Sequence, residues 1–179
     1  TIKGDIENNI NLDLLSEIFS QNFKVYFNEK ILFSSSSNFE ISFSDKFKIK
    51  DYNLKSEIIF TDTNLNLKEI NLKKYIKNFN KKILLGEGKM HLIINKNNKT
   101  QAKFKSTYML DKKDDPKILE IDYTKEKGLE KFEIKTDLNS SKIELEQLNF
   151  YKNKNKDLFL DLIITKNKDI YEINSLKLF

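Results

Sequence analysis

The sequence predicts a mostly β fold, a strand-rich α+β chain whose long antiparallel meander curls into an open groove carrying one or two short amphipathic helices. Two observations carry the β assignment. Apolar and polar residues alternate with period two over most of the 179 residues, which is the mark of strands with one buried face. Clusters of Asn, Ser, Asp, Lys and Gly interrupt that alternation about every 12–15 residues in the second half, the spacing of short strands joined by turns. A third observation adds the helices, because helical spacing is confined to two short segments.

Taken along the chain, Leu12 to Phe19 offers the weaker helix, with Leu12, Leu15 and Phe19 on one stripe. Ser34 to Asn38 reads as a turn. Phe39, Ile41 and Phe43 then share one strand face, Ser44 to Lys46 turns the chain, and Leu54, Ser56, Ile58 and Phe60 share the next face. Asn71 to Lys82 is the better helix. Leu72, Tyr75, Ile76 and Phe79 fall at i, i+3, i+4 and i+7, Asn71 suits the N-cap, and lysines fill the other side. Its apolar stripe is expected to pack on the sheet rather than on a membrane.

Gly86-Glu87-Gly88 follows that helix and precedes a strand. Phosphate loops need the opposite order, so the glycines read as a helix-to-strand turn or an edge kink. Met90, Leu92 and Ile94 face one way, with His91 opposite. Ala102, Phe104, Ser106, Tyr108 and Leu110 form the next face. Pro116 starts a turn after Asp114-Asp115. Leu119, Ile121 and Tyr123 follow, then Phe132, Ile134, Thr136 and Leu138 after a turn at Lys125 to Gly128.

The last two apolar faces change parity. Ile143 and Leu145 give way to Leu148 and Phe150, and Tyr171 and Ile173 give way to Leu176 and Leu178. A one-residue slip would turn the apolar face outward, so bulges are expected near Gln147 and near Asn174–Ser175. Between them Leu158 to Ile164 is apolar on both parities except at Asp161, so that strand is expected to be covered on its back as well.

Composition excludes several classes. There is no Cys, so disulfides and thiolate metal sites are out. No apolar run approaches the roughly 18 residues needed to span a bilayer. The net charge of +5 is spread over 32 basic and 27 acidic residues, not gathered as in a nucleic-acid patch, and the chain lacks the Arg forks that read bases. No nucleic-acid partner is expected. His91, the single histidine, has no nearby partner spacing for a metal or a nucleophile. Asp114-Asp115-Pro116 lacks the ligand alternation of a calcium loop. No catalytic residues, metal or cofactor are expected.

The C-terminal segment "KIELEQLNFYKNKNKDLFLDLIITKNKDIYEINSLKLF" has a specific order. An alternating strand ends in an aromatic pair and a lysine, Phe150, Tyr151 and Lys152. A polar turn, an apolar strand and a strand ending in alternating leucines follow. This resembles the central domain of YhdP-type proteins in the AsmA-like superfamily, and "LGEGKMHLIINKNNKTQAKFKSTYML" resembles the paired strands upstream in such domains. The resemblance spans about residues 70–179. It departs at the turn after Lys152, where Asn153, Lys154 and Asn155 stand in place of the family's Pro and Gly.

What the resemblance implies is a large envelope protein of Gram-negative bacteria. Such a protein is anchored in the inner membrane, reaches across the periplasm and carries phospholipid towards the outer membrane. On that reading residues 1–179 are one domain cut from a longer chain. The domain lies at the periplasmic face of the inner membrane. Its partners are phospholipid acyl chains and adjoining strands of the same full-length chain, and any membrane contact is made by regions outside it. The expected groove would be lined by Met90, Leu92 and Ile94, by Phe104 and Tyr108, by Leu119, Ile121 and Tyr123, by Phe132 and Ile134, and by Leu158, Leu160 and Leu162. The alternative is a structural or adhesive envelope β-domain with a closed core and no ligand.

Overall fold

A computed structural model describes residues 1–8, 33–66, 82–96, 99–110, 115–139, 142–145, 149–154, 156–168 and 170–179. Among the described residues every regular element is a strand. They are β1 (Ile2–Asn8), β2 (Phe33–Phe43), β3 (Ile49–Phe60), β4 (Thr63–Asn66), β5 (Lys82–Asn95) and β6 (Lys99–Met109), then β7 (Lys117–Glu126), β8 (Leu129–Asp137), β9 (Ile143–Leu145), β10 (Phe150–Lys152), β11 (Phe159–Asn167) and β12 (Ile170–Leu178). Ten of them form one antiparallel sheet in the order β1-β2-β3-β5-β6-β7-β8-β11-β12, with β4 beside β5. The sheet is a curled meander that does not close into a barrel. Both expected helices lie outside the described residues, except that Lys82 opens β5.

The expected strands from Phe39 to Phe60 and from Met90 to Ile134 all form, in the expected parity. β7 and β8 meet in a two-residue turn at Lys127 and Gly128. Both have positive φ (50° and 85°), as the tightest hairpin turns require. Ser34 to Asn38, read as a turn, instead lies inside β2. Its serines favour turns only when nothing else takes their backbone groups. Here β1 and β3 flank the segment on both sides, and the hydroxyls of Ser37 and Ser56, which oppose each other, lie 2.8 Å apart.

Gly86 and Glu87 sit within β5 rather than before it. They form a bulge, since Leu85 opposes Tyr108 and Gly88 opposes Ser106. On the other side of β5 the partner changes at the same place, from β4 (opposite Lys82 to Leu85) to β3 (opposite Gly88 to Asn95). The break at Thr61–Asp62 thus faces the bulge. The bulge shifts parity, so Leu85 joins a small apolar cluster with Tyr108 and Leu110, apart from the main one around Ile58 and Leu92. Ser106 donates its hydroxyl to the Gly86 carbonyl at 3.0 Å and satisfies the opened ladder.

The meander is not sequential to its end. β9 and β10 form a separate two-stranded sheet, and β11 returns to pair with β8. Leu138 at the end of β8 donates to the Leu158 carbonyl at 2.8 Å, so the place beside β8 is already taken and the hairpin stands aside. The single strand with a bulge expected around Gln147 does not form, because Ile143–Leu145 and Phe150–Lys152 are the two arms of that hairpin and pair with each other. The other expected bulge forms at Asn174: Ser175 opposes Ile163 while Ile173 opposes Ile164.

Candidate ligand-binding face

Residues opposite each other in a ladder share a face, so the registers define one continuous inner surface. Ile58 opposes Met90, Met90 opposes Phe104, Phe104 opposes Ile121, Ile121 opposes Ile134, Ile134 opposes Leu162, and Leu162 opposes Leu176. A second row runs from Ser56 through Leu92, Ala102, Tyr123, Phe132 and Ile164 to Ile173. Ile94 opposes Leu54, Tyr108 opposes Lys117, and Leu119 and Leu160 both oppose Thr136 on this same face. Leu158 precedes β11 in matching parity and is buried. Every residue expected to line the groove therefore points the same way.

They do not share one environment. Around β3, β5 and β6 the face is sealed: Ile58 is 0 % and Leu92 1 % exposed, and Met90 and Tyr123 belong to the same buried cluster. Phe60 opposes Gly88, and its ring crosses β5 to stack on Phe104 with centroids 5.3 Å apart and planes at 4°. Away from Tyr123, the face opens across the rest of β7 and beyond. Leu119, Ile121, Ile134, Leu160, Leu162 and Ile164 are half-buried, and on β12 Tyr171, Ile173 and Leu176 are 60 %, 68 % and 47 % exposed.

Polar groups edge this face at both ends. At one end the buried Tyr123 hydroxyl donates to Glu130 at 3.3 Å, and Lys125 lies 3.8 Å from the same carboxylate. Burial, then the Glu130 charge, pushes the Tyr123 phenol well above its ordinary value. At the other end Tyr108 reaches past β7 to donate to the Asp137 carbonyl, and the Lys117 ammonium sits 5.8 Å from the centre of its ring.

Lys152, the lysine of the aromatic–lysine signature, is also at this end, and it is buried. It donates to the Asn139 carbonyl at 2.7 Å and the Asn153 carbonyl at 3.2 Å. The Asn139 side chain in turn accepts from the Leu158 amide at 2.7 Å. Desolvation pulls the Lys152 ammonium below the usual lysine value. Its work is to fasten the β9–β10 hairpin to the start of β11, a role that strand alternation does not reveal.

No family model, curated protein or solved structure matches the chain. The outer face carries ion pairs, two across strands, Lys89 with Glu57 at 2.6 Å and Lys105 with Glu120 at 2.7 Å, and one within β8, Lys131 with Glu133 at 2.6 Å. Each lysine's hydrogen bond holds its partner carboxyl below the ordinary carboxylate value. His91 lies here too, its Nδ1 3.6 Å from Glu57. Among the described residues no three metal-ligating side chains converge. The arrangement can solvate hydrocarbon on one side and water on the other.

Proposed function

We propose that this chain is a β-groove module that binds phospholipid acyl chains along its inner face. In this reading it serves lipid transfer between the inner and outer membranes, as a periplasmic part of an inner-membrane-anchored protein of the AsmA/YhdP kind. The carrying observation is the open apolar surface of β7, β8, β11 and β12, where Ile134, Leu162, Ile164, Ile173 and Leu176 lie in adjoining rows without being sealed. Apolar surface of that extent marks a ligand or partner site. Acyl chains need apolar walls and few polar anchors. The envelope location and the direction of transfer rest on the sequence resemblance. No catalytic step is involved.

The second reading, a structural β-domain with a dry core, is favoured by one observation: Ile58 and Leu92 are closed off completely. A tail entering there would have to displace packed side chains. The two readings separate on the β8–β12 half. A photo-crosslinking residue is placed at Leu162 or Leu176 on the inner face, and separately at Lys135 or Lys177 on the outer face, and the protein is incubated with phosphatidylethanolamine–phosphatidylglycerol vesicles. Lipid adducts confined to the first pair support the groove. Adducts at neither pair, with no lipid co-purifying by mass spectrometry, leave the structural domain standing.

A further inference from the structure

We propose that the edge of β12 left unpaired among the described residues is a self-complementary interface that pairs antiparallel with β12 of a second copy of this chain, independently of any lipid. Among the described residues β12 pairs only with β11. Ile170, Tyr171 and Ile173 of this strand and Phe179 just after it are exposed at 60–70 % each, and the charges that would guard such an edge, Glu172 and Lys177, are opposite in sign.

The backbone sets which groups the edge offers. Phe159 and Phe179 exchange both of their hydrogen bonds, at 3.0 and 3.1 Å, so Phe179 turns its N–H and C=O towards β11. Alternation then turns Leu178 and Leu176 outward. Past the Asn174 bulge, Glu172 and Ile170 face β11 through Thr165 and Asn167, which turns Tyr171 and Ile173 outward. Placing a second β12 antiparallel, with its bulge against this bulge, sets Tyr171 opposite Leu178 and Ile173 opposite Leu176 as hydrogen-bonded pairs. Between them Glu172 meets Lys177 on the outer face, and Ile170 meets Phe179.

All four outward-turned residues find outward-turned partners, apolar inner side chains meet apolar ones, and opposite charges meet twice across the dyad. Because the bulge shifts parity, a slipped register sets inner residues against outer ones or against the bulge itself. The other edge has no such register: on β1, a symmetric pairing of Lys3 with Glu7 would set Asp5 against its own copy. The dyad stands perpendicular to the sheet, so the two inner faces open on the same side and join into one surface.

The chain has no cysteine, which makes the register directly testable. Glu172→Cys and Lys177→Cys are prepared singly, then mixed under mild oxidation. The mixture is expected to give disulfide-linked dimer on a non-reducing gel. Each variant alone should give little, since two copies of residue 172 lie five residues apart across the dyad, about 16 Å. In sedimentation the unsubstituted chain should self-associate. Glu172→Lys should weaken that association about tenfold, and Glu172→Lys with Lys177→Glu should restore it. Equal cross-linking of all three samples, or a monomer at every concentration, overturns the proposal. A monomer whose outward-turned β12 amides resist exchange assigns the edge to another segment of its own chain, which overturns it as well.

Discussion

The fit of one ring over one glycine decides how the centre of the sheet packs. A Cβ on Gly88 would lie 1.8 Å from the Phe60 ring, and the same relation recurs at Gly4, 2.8 Å from the ring of Phe39. In each pair the aromatic side chain covers the bare backbone of the strand opposite. Gly88→Ala is expected to destabilise the protein by about 1–3 kcal/mol through overpacking, and Phe60→Ala by about 3–5 kcal/mol through the cavity it leaves. The double variant should cost clearly less than the sum, because the ring that clashes is then gone; urea denaturation measures all three. Lys152→Ala should cost about 1–3 kcal/mol by leaving the Asn139 carbonyl without its buried donor. Face assignment can be checked the same way. Ile134→Asp sets an unpaired carboxylate against Ile121 and Leu162 and should cost several kcal/mol. Glu133→Lys, which loses an exposed pair with Lys131 and the nearby charges of Lys135 and Lys103, should change stability by only about 1 kcal/mol.

At the scale of the strand, the Asn174 bulge keeps Tyr171 and Ile173 on the face of Leu176 and Leu178. Deleting Asn174 would remove the extra residue and leave Tyr171, Ile173, Leu176 and Leu178 in unbroken period two on one face. Amide exchange across β12 should then be no faster than in the unaltered chain, and β5 and β6 should keep their protection; a strong rise in β12 would count against this bulge assignment. This bulge was legible in the sequence because two apolar pairs in opposite phase leave few other repairs. So were the strands from Phe39 to Phe60 and from Met90 to Ile134 and the common face of Met90, Phe104, Ile121, Ile134 and Leu162, all written in plain alternation, whereas β4, four residues long, was not. β1 was not, since Ile2, Gly4 and Ile6 give too short a pattern and take their order from β2. Nor was β2 across Ser34 to Asn38, where neighbouring ladders override turn preference. The excursion of β9 and β10 was hidden for another reason: pairing order depends on the Leu138–Leu158 contact, which joins residues far apart in sequence. Which parts of the inner face are sealed and which are open is likewise a property of the curl, not of any one strand.

Over the whole molecule, the outer face ties stability to pH through charge. Glu57, Glu120 and Glu133 are held below the ordinary carboxylate value of 4.5, so the folded state binds fewer protons than the unfolded chain in that range. The stability they contribute is complete above the unfolded value and is lost as pH falls through the folded ones. A thermal melt should therefore be nearly level from about pH 7 to 5 and fall below about pH 4.5. Replacing the three glutamates with glutamine should flatten that fall, and high salt should reduce it because all three pairs are exposed to solvent. The strand order carries a different consequence. Apart from β4 and the β9–β10 excursion, each strand of the main sheet pairs only with those next to it in sequence, so the domain is close to a one-dimensional stack of hairpins, with the Phe60–Phe104 stack and the Tyr108–Asp137 bond reaching one strand further. In such a stack length is a free variable. A hairpin gained or lost beside β12 leaves those longer contacts in place, so duplication or loss of a hairpin there would change the reach of the inner surface while leaving its chemistry intact.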